Sequence, residues 1–322
     1  MAVVGVGAFG RNHARVYHQL QQAGEVRLVG VVDPDTVRAD AVAREFACKS
    51  FGSIEQMLTT HSEVQAASVA VPTVLHRKVA SALMEAGVDV LIEKPVAATL
   101  ADADALVRVA SEHSRVAQVG HLERFNPAVI ALRRITTTPL FFEIHRMSVF
   151  TPRSLDVDVV LDLMIHDVDI VLSLVGRPPE EIRAAGLCIL TEKVDIANVR
   201  LAFPTGCIAN LTASRVSTER VRKLRVFQPS RYISLDYQRQ DLLTFDVQDA
   251  PDSPSKEIHC EAATVEKGEP LKLELDAFLR SMATRSPAPV TGEEGLAALE
   301  VALDILAKIE EHTERVREQL VR

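Results

Sequence analysis

What this 322-residue chain lacks narrows its function before any motif is read. It has no excess of positive charge: 36 Lys and Arg stand against 44 Asp and Glu, for a net charge of -8. That balance argues against a nucleic-acid surface, although local arginine clusters can still meet anionic small molecules. Cysteine is scarce. Cys48, Cys188, Cys207 and Cys260 show neither CxxC nor zinc-ligand spacing, so inert thiols in a reducing compartment are expected, with no metal site. No apolar run reaches the length of a membrane span, and no charged segment backed by an apolar stretch precedes the first motif. A cytoplasmic protein with no membrane or nucleic-acid partner is expected. Repeats and low-complexity segments are also missing; the nearest thing to a flexible loop is 248–256, rich in Asp, Pro and Ser. The first strand starts almost at Met1, so a few residues that ordinarily precede it are expected to be missing from this start site. The length is enough for two domains with separate cores.

Against those absences stands Val4-Gly5-Val6-Gly7-Ala8-Phe9-Gly10, a short apolar strand leading through three glycines into a helical pattern. The first glycine allows a tight turn, the second lets phosphates approach the main chain, and the third lets helix and strand pack closely. The helix N-terminus adds N–H donors and a partial positive charge. A helical run from Arg11 to Gln22 and a strand from Val26 to Val32 follow, ending at Asp33, 23 residues past the third glycine. An acid there accepts hydrogen bonds from adenosine ribose hydroxyls and repels a 2′-phosphate, which favours NAD over NADP. Gly5, Gly7, Ala8, Phe9, Gly10 and Asp33 are therefore the candidate dinucleotide residues. The competing reading is a glycine turn of some other α/β protein, with Asp33 capping a helix.

The first 120 residues go on alternating apolar runs with helical patterns, as a parallel sheet with crossover helices requires. Helices are expected at about Thr36–Phe46, Leu75–Ala86 and Leu100–His113, and strands at Ala66–Val71, Val88–Ile92 and Val116–Gly120. The pattern then changes to β-rich segments separated by turns, including Val194–Phe203, Cys207–Ala213, Leu224–Phe227 and Tyr232–Tyr237. Helices at about Leu271–Ala283 and Glu293–Gln319 close the chain. The expected fold class is α/β. A doubly wound dinucleotide-binding domain over 1–120 precedes a substrate-binding α/β domain over 121–322, whose large sheet is mostly antiparallel. Apolar residues on both faces of several of its strands imply a homo-oligomer.

Three places carry chemistry. Glu93-Lys94-Pro95 follows a strand of the parallel sheet, and residues beyond the carboxyl ends of such strands face the ligand crevice. Lys94 can there stabilise a developing alkoxide; as an isolated residue it reads more readily as a surface lysine beside a turn. The second place is the segment from Asp158 to Leu172. Read as a helix it is mostly apolar, yet Asp158, Asp162, His166 and Asp169 recur at spacings of four, four and three and form one polar stripe. His166 can act as general base toward a hydroxyl, and Asp162 can orient its imidazole; the alternatives are a solvated helix face and a metal site, for which His166, Asp167 and Asp169 lack an obvious complement of further ligands. The third is Gly120 to Ala128, where Arg124 and Asn126 either donate to a ligand or belong to a linker with a capped helix at Asn126-Pro127.

Together, GVGAFG with Asp33, the Val71-Pro72-Thr73 turn with His76, the EKP at 93–95 and DLMIHDVD at 162–169 resemble the Gfo/Idh/MocA family of sugar and polyol dehydrogenases. The resemblance spans most of the chain. It departs at Met164, where the family usually has glycine. It implies a Rossmann domain followed by a domain whose open sheet makes dimer or tetramer contacts. It also implies Lys94, Asp162 and His166 as the catalytic set, with Pro72, His76, Glu93 and Lys94 beside the cofactor. Within the family, VGHLERFNPAV, Arg146, the stretch 150–153 and VVLDLMIHDVDI resemble the enzymes that oxidise the 3-hydroxyl of UDP-N-acetylglucosamine on the route to the 3-amino sugar of lipid A. That substrate needs a basic contact for its diphosphate, for which Arg124, Arg146 and Arg153 are the candidates. Lys94, Asn126, Asp162 and His166 complete the expected substrate contacts. Two other functions fit the same residues: a dehydrogenase of a free sugar, inositol or another cyclic polyol, and a non-enzymatic NAD sensor.

Overall fold

The computed structural model describes residues 1–151, 157–249 and 256–320. Its first sheet is built from short strands that are apolar on both faces, which only a sheet covered by helices on each side can bury. In chain order the elements are β1 (Ala2–Val4), α1 (Ala8–Gln22), β2 (Gly30–Val32), α2 (Thr36–Glu45), β3 (Lys49–Phe51), α3 (Ile54–Thr60), β4 (Ala66–Val69), α4 (His76–Glu85), β5 (Asp89–Glu93), α5 (Leu100–Glu112) and β6 (Ala117–Gly120). All pairings are parallel, and the strand order is β3-β2-β1-β4-β5-β6. This is a doubly wound sheet whose order reverses between β1 and β4, the point at which such sheets bind ligands. β3 and α3 are absent from the sequence expectations. Lys-Ser-Phe is too short and too polar to announce a strand, although Ser53 marks the start of α3 by accepting from the Gln56 N–H.

The second sheet follows α6 (Pro127–Ile135). It comprises β7 (Phe141–Met147), then, after α7 (Ile165–Val175), β8 (Glu181–Leu187), β9 (Ile196–Ala202), β10 (Ile208–Ser214), β11 (Val221–Gln228), β12 (Arg231–Asp236), β13 (Asp241–Asp249) and β14 (Lys256–Ala262). Its order is β14-β13-β12-β11-β7-β10-β9-β8, antiparallel except where β7 runs parallel to β10. Strict alternation in β7, with Phe142, Ile144 and Arg146 buried and their neighbours half-exposed, sends one face into a core shared with α6, α7 and the last helix. On the other face an aromatic row crosses four strands. Phe141 meets Phe227 edge-on at 5.8 Å between centroids, Phe227 stacks on Tyr232 at 5.4 Å, and Tyr232 on Phe245 at 4.1 Å.

The chain closes with α8 (Pro270–Thr284) and α9 (Gly292–Leu320). Its two compact units are Met1–Leu122 with Glu269–Leu296, and Glu123–Gly268 with Ala297–Arg322. The boundary expected at 120/121 is thus interrupted. Leu271, Leu275 and Phe278 of α8 share a core with Tyr17 and Leu20 of α1, so the segment 269–296 completes the first unit rather than the second. Among the described residues, no helix is long and apolar enough to cross a membrane.

Candidate active site

The glycine turn shows why the motif needs its glycines. Gly5 has φ +84°, and a Cβ on it would lie 2.6 Å from the Ala70 carbonyl oxygen at the end of β4. At Gly10 a Cβ would fall 1.8 Å from the Gly5 carbonyl oxygen, because α1 and β1 touch there. Gly7 is different: nothing lies within 4 Å of where its Cβ would be. It opens α1 without any side-chain cap, so the first N–H groups of the helix face open space at the switch point, which is the seat a pyrophosphate takes. Ala8 and Phe9 are exposed beside it. Asp33 is buried. One of its carboxylate oxygens accepts from the Val6 N–H at 3.0 Å and the other from the Asp35 N–H at 2.9 Å, which fixes the acid at the tip of β2 with lone pairs left for ribose hydroxyls. The residues present fit a bound dinucleotide.

Other residues expected at the cofactor have their side chains elsewhere. His76 is buried at the start of α4, with one ring nitrogen 2.9 Å from the Val71 carbonyl and the other 3.0 Å from the Pro95 carbonyl. It braces the Pro72 turn against the turn after Lys94, and burial lowers its pKa. Pro72 itself is exposed after β4. Glu93 points inward: its carboxylate lies 3.0 Å from His13 Nε2. Lys94, the next residue, is half-buried beyond the carboxyl end of β5. A cavity of about 1180 Å³ opens at the opposite, amino-terminal edge of this sheet among Arg27, Asp89, Lys272, Asp276 and Arg285. Its charges pair with one another, Arg285 with Asp89 at 2.6 Å and Lys272 with Asp276 at 2.8 Å, and it takes no part in the site at the strand ends.

In the second unit the polar stripe divides. Asp158 accepts the Val194 N–H at 2.8 Å. Asp169 is buried and takes both arms of the Arg124 guanidinium, at 2.7 and 2.8 Å. Asp162 and His166 remain half-exposed on successive turns. His166 falls in the first turn of α7, and Asp162 itself sits in a π turn over Val160–Met164, in which the Ile165 N–H donates to the Val160 carbonyl five residues back. Such turns are rare and cluster at functional sites. Met164, where the resembling family has glycine, is fully buried in the core of this unit.

Two of the arginines expected to hold a diphosphate are structural. Besides the Arg124–Asp169 pair, buried Arg146 makes two bonds to Asp167, both 2.7 Å, and one to Glu123 at 2.8 Å. The guanidinium also lies 4.8 Å over the Tyr237 ring, and the Tyr237 hydroxyl donates to Asp167 at 3.1 Å. Burial disfavours the charge on Arg146, but Asp167 and Glu123 outweigh it and raise its pKa well above the usual value. Burial likewise works to raise Glu123, yet Arg146 and Arg222 hold it below the carboxylate range. Buried and committed to carboxylates, Arg146 and Arg124 are placed as supports of the second unit and not as exposed phosphate contacts. Asn126 is the α6 cap: its side-chain oxygen accepts from the Ala128 N–H at 3.1 Å, and its amide donates to the Tyr237 carbonyl at 3.0 Å. Arg153 lies outside the described residues.

The sequence reading missed His13, Glu123, Tyr237 and the π turn. A signal for His13 existed, since His13, Val16, Tyr17 and Leu20 form the buried stripe of α1 and a histidine interrupts it.

Comparison with known proteins decides the family. Residues 1–121 match the oxidoreductase family with NAD-binding Rossmann fold, and residues 136–228 match the GFO/IDH/MocA C-terminal domain. The UDP-N-acetylglucosamine 3-dehydrogenase of Acidithiobacillus ferrooxidans is 38% identical over 97% of this chain and 98% of its own. The chain belongs to the Gfo/Idh/MocA family. Like its family, it is an NAD-dependent oxidoreductase. A solved structure of the Acidithiobacillus enzyme superposes with a TM-score of 0.89 at 37% identity, covering 96% of this chain and 97% of that one. Another Gfo/Idh/MocA relative, the inositol 2-dehydrogenase of Rhizobium meliloti, is 23% identical over 93% of both chains.

Proposed function

We propose that the protein oxidises the 3-hydroxyl of UDP-N-acetylglucosamine to the 3-keto nucleotide sugar, on the route to a 3-amino sugar for lipid A. The observation that carries this reading is the match to the Acidithiobacillus dehydrogenase, which covers 97% of this chain and 98% of that one and so spans both units. NAD, when bound, supplies the hydride acceptor. Asp33 holds its adenosine ribose and the Gly5–Gly10 turn its pyrophosphate. His166 takes the proton of the substrate hydroxyl, Asp162 orients the imidazole and favours its charged form, and Lys94 stabilises the oxygen as negative charge builds on it. The support for these roles is the half-exposed placement of all three side chains, in motifs that the resembling family shares.

We place the enzyme in the cytoplasm as a homo-oligomer, dimer or tetramer, associating through the sheet face that carries Phe141, Phe227, Tyr232 and Phe245. Light scattering of a Phe245→Glu variant tests that surface; an unchanged mass removes it. The enzyme reading is tested by mixing the protein with NAD and UDP-N-acetylglucosamine and weighing the sugar, which should lose two hydrogens as NADH absorbance rises. The His166→Asn variant should then turn over about 10²- to 10⁴-fold more slowly with NAD affinity kept. Turnover at the parent rate removes His166 as the base.

One observation favours a second reading. Arg124 and Arg146, expected to hold a diphosphate, are consumed by buried carboxylates, as a dehydrogenase of a free cyclic polyol would allow. Competition by UDP alone against the sugar substrate belongs only to the nucleotide-sugar reading.

A further inference from the structure

Beneath the glycine turn runs a buried chain of side chains to which neither the family match nor the proposed mechanism gives a role. It begins at Tyr17 of α1, whose hydroxyl lies 2.9 Å from Ser68 Oγ on β4. Ser68 Oγ lies 3.0 Å from His13 Nδ1, one turn back along α1, and His13 Nε2 lies 3.0 Å from Glu93 Oε1 at the end of β5. Tyr17, Ser68 and His13 have no exposed surface. One order of protons gives every group a partner: Tyr17 donates to Ser68, Ser68 to His13 Nδ1, and His13 Nε2–H to the Glu93 carboxylate. Burial pushes the Tyr17 phenol far up, so it keeps its proton and fixes the direction of the chain.

The far end of that chain is the residue that precedes Lys94. The carboxylate fills the space that Gly120 of β6 leaves open across the sheet, where a Cβ would come within 2.8 Å of its Oε1. On the α8 side is Glu274, fully buried, with neither carboxyl oxygen hydrogen-bonded. Burial first, and the charge on Glu93 second, raise Glu274 well above the usual range, so it stands as a neutral acid. The carboxylate of Glu93 is thus held by His13, with the buried Glu274 close enough to feel its charge. α1 carries His13 three residues past Gly10, and its first turn is the pyrophosphate seat.

We propose that His13 is a positioning residue: through its hydrogen bond to Glu93 it sets the backbone at the end of β5, and so the placement of Lys94 relative to the dinucleotide held by the same helix. This rests on the proposed role of Lys94.

The test is His13→Leu, which removes both hydrogen bonds at similar volume, beside His13→Gln, whose amide can still donate to Glu93. For the leucine variant we expect kcat with UDP-N-acetylglucosamine to fall about 10- to 100-fold, with the Kd for NAD changed less than about threefold. The basic limb of the kcat profile should also move, and the glutamine variant should recover most of both losses. A leucine variant that melts earlier yet keeps the parental kcat and pH profile overturns the proposal, since the role would then be structural only. If the parent enzyme fails to oxidise this sugar, the substrate reading falls by itself. The titration of Lys94, followed by NMR of ¹³C-methylated lysines, then decides: an identical curve in parent and His13→Leu overturns the proposal. If the leucine variant does not fold, Ser68→Ala carries the same test with a smaller expected shift, and no shift overturns it.

Discussion

In the first unit the buried polar groups form a string of hydrogen bonds, Tyr17 to Ser68 to His13 to Glu93, with a second acid, Glu274, kept neutral beside it. In the second unit the buried groups are guanidiniums set against carboxylates, Arg124 on Asp169 and Arg146 on Asp167 and Glu123. The contrast is between adjustable protonation and fixed charge. A string of hydrogen bonds that holds a single charge, on Glu93, tolerates a missing member by shifting protons. A matched ion cluster cannot, because each deletion strands a charge that burial makes costly. The same fold family therefore supports its nucleotide-holding half and its second half by unlike means.

The sharpest way to break that comparison is Arg146→Met. It leaves Asp167 and Glu123 buried without their guanidinium, and the second unit should lose about 3–5 kcal/mol in urea unfolding. A loss under about 1 kcal/mol would show the cluster to be as forgiving as the first unit's string. Glu274 comes next. Its folded pKa is raised above the ordinary 4.5, so from that pH upward the unfolded chain has released a proton that the folded chain still holds. Stability should therefore decline with rising pH above 4.5, by at most about 1.4 kcal/mol per pH unit, until the folded group ionises as well. Glu274→Gln should flatten that decline between pH 5 and 8, and an unaltered slope would deny that the acid is held neutral. The smallest effect belongs to Tyr17→Phe, which removes the end donor of the string and should cost about 1 kcal/mol in the same unfolding assay. A cost matching that of Arg146→Met would erase the difference between the units.

Most of the first unit was legible in the sequence because its signals are local. Val31 and Val32 are apolar on both faces, Gly10 must be glycine because a Cβ would strike the Gly5 carbonyl five residues back, and Thr99 caps α5 where the helix was expected to start. Several strands of the second sheet were legible but not their order, since the parallel pairing of β7 with β10 joins residues as distant in the chain as Phe141 and Ile208. The chemical residues divide the same way. Lys94, Asp162 and His166 stand in motifs that can be read in line. What Arg124 and Arg146 do could not be read in that way, because an arginine that grips a phosphate and one that grips a buried Asp169 or Asp167 look alike until their partners are placed. Asn126 was open between ligand and cap, and the short bond to the Ala128 N–H places it as a cap. Glu274 gave no sign at all: in Leu-Lys-Leu-Glu-Leu-Asp the acid has the look of a solvated helix face.

The return of α8 to the first unit has a consequence for how the protein is made. A fragment ending at Leu122 lacks Leu271, Leu275 and Phe278, so the sides of Tyr17 and Leu20 that meet them would be left to solvent. On the ribosome, the nucleotide-holding half thus stays unfinished until all eight strands of the other half have emerged. It cannot be lifted out as a cassette by cutting the gene at the apparent domain junction; a transplant would need the distant tail segment spliced back in.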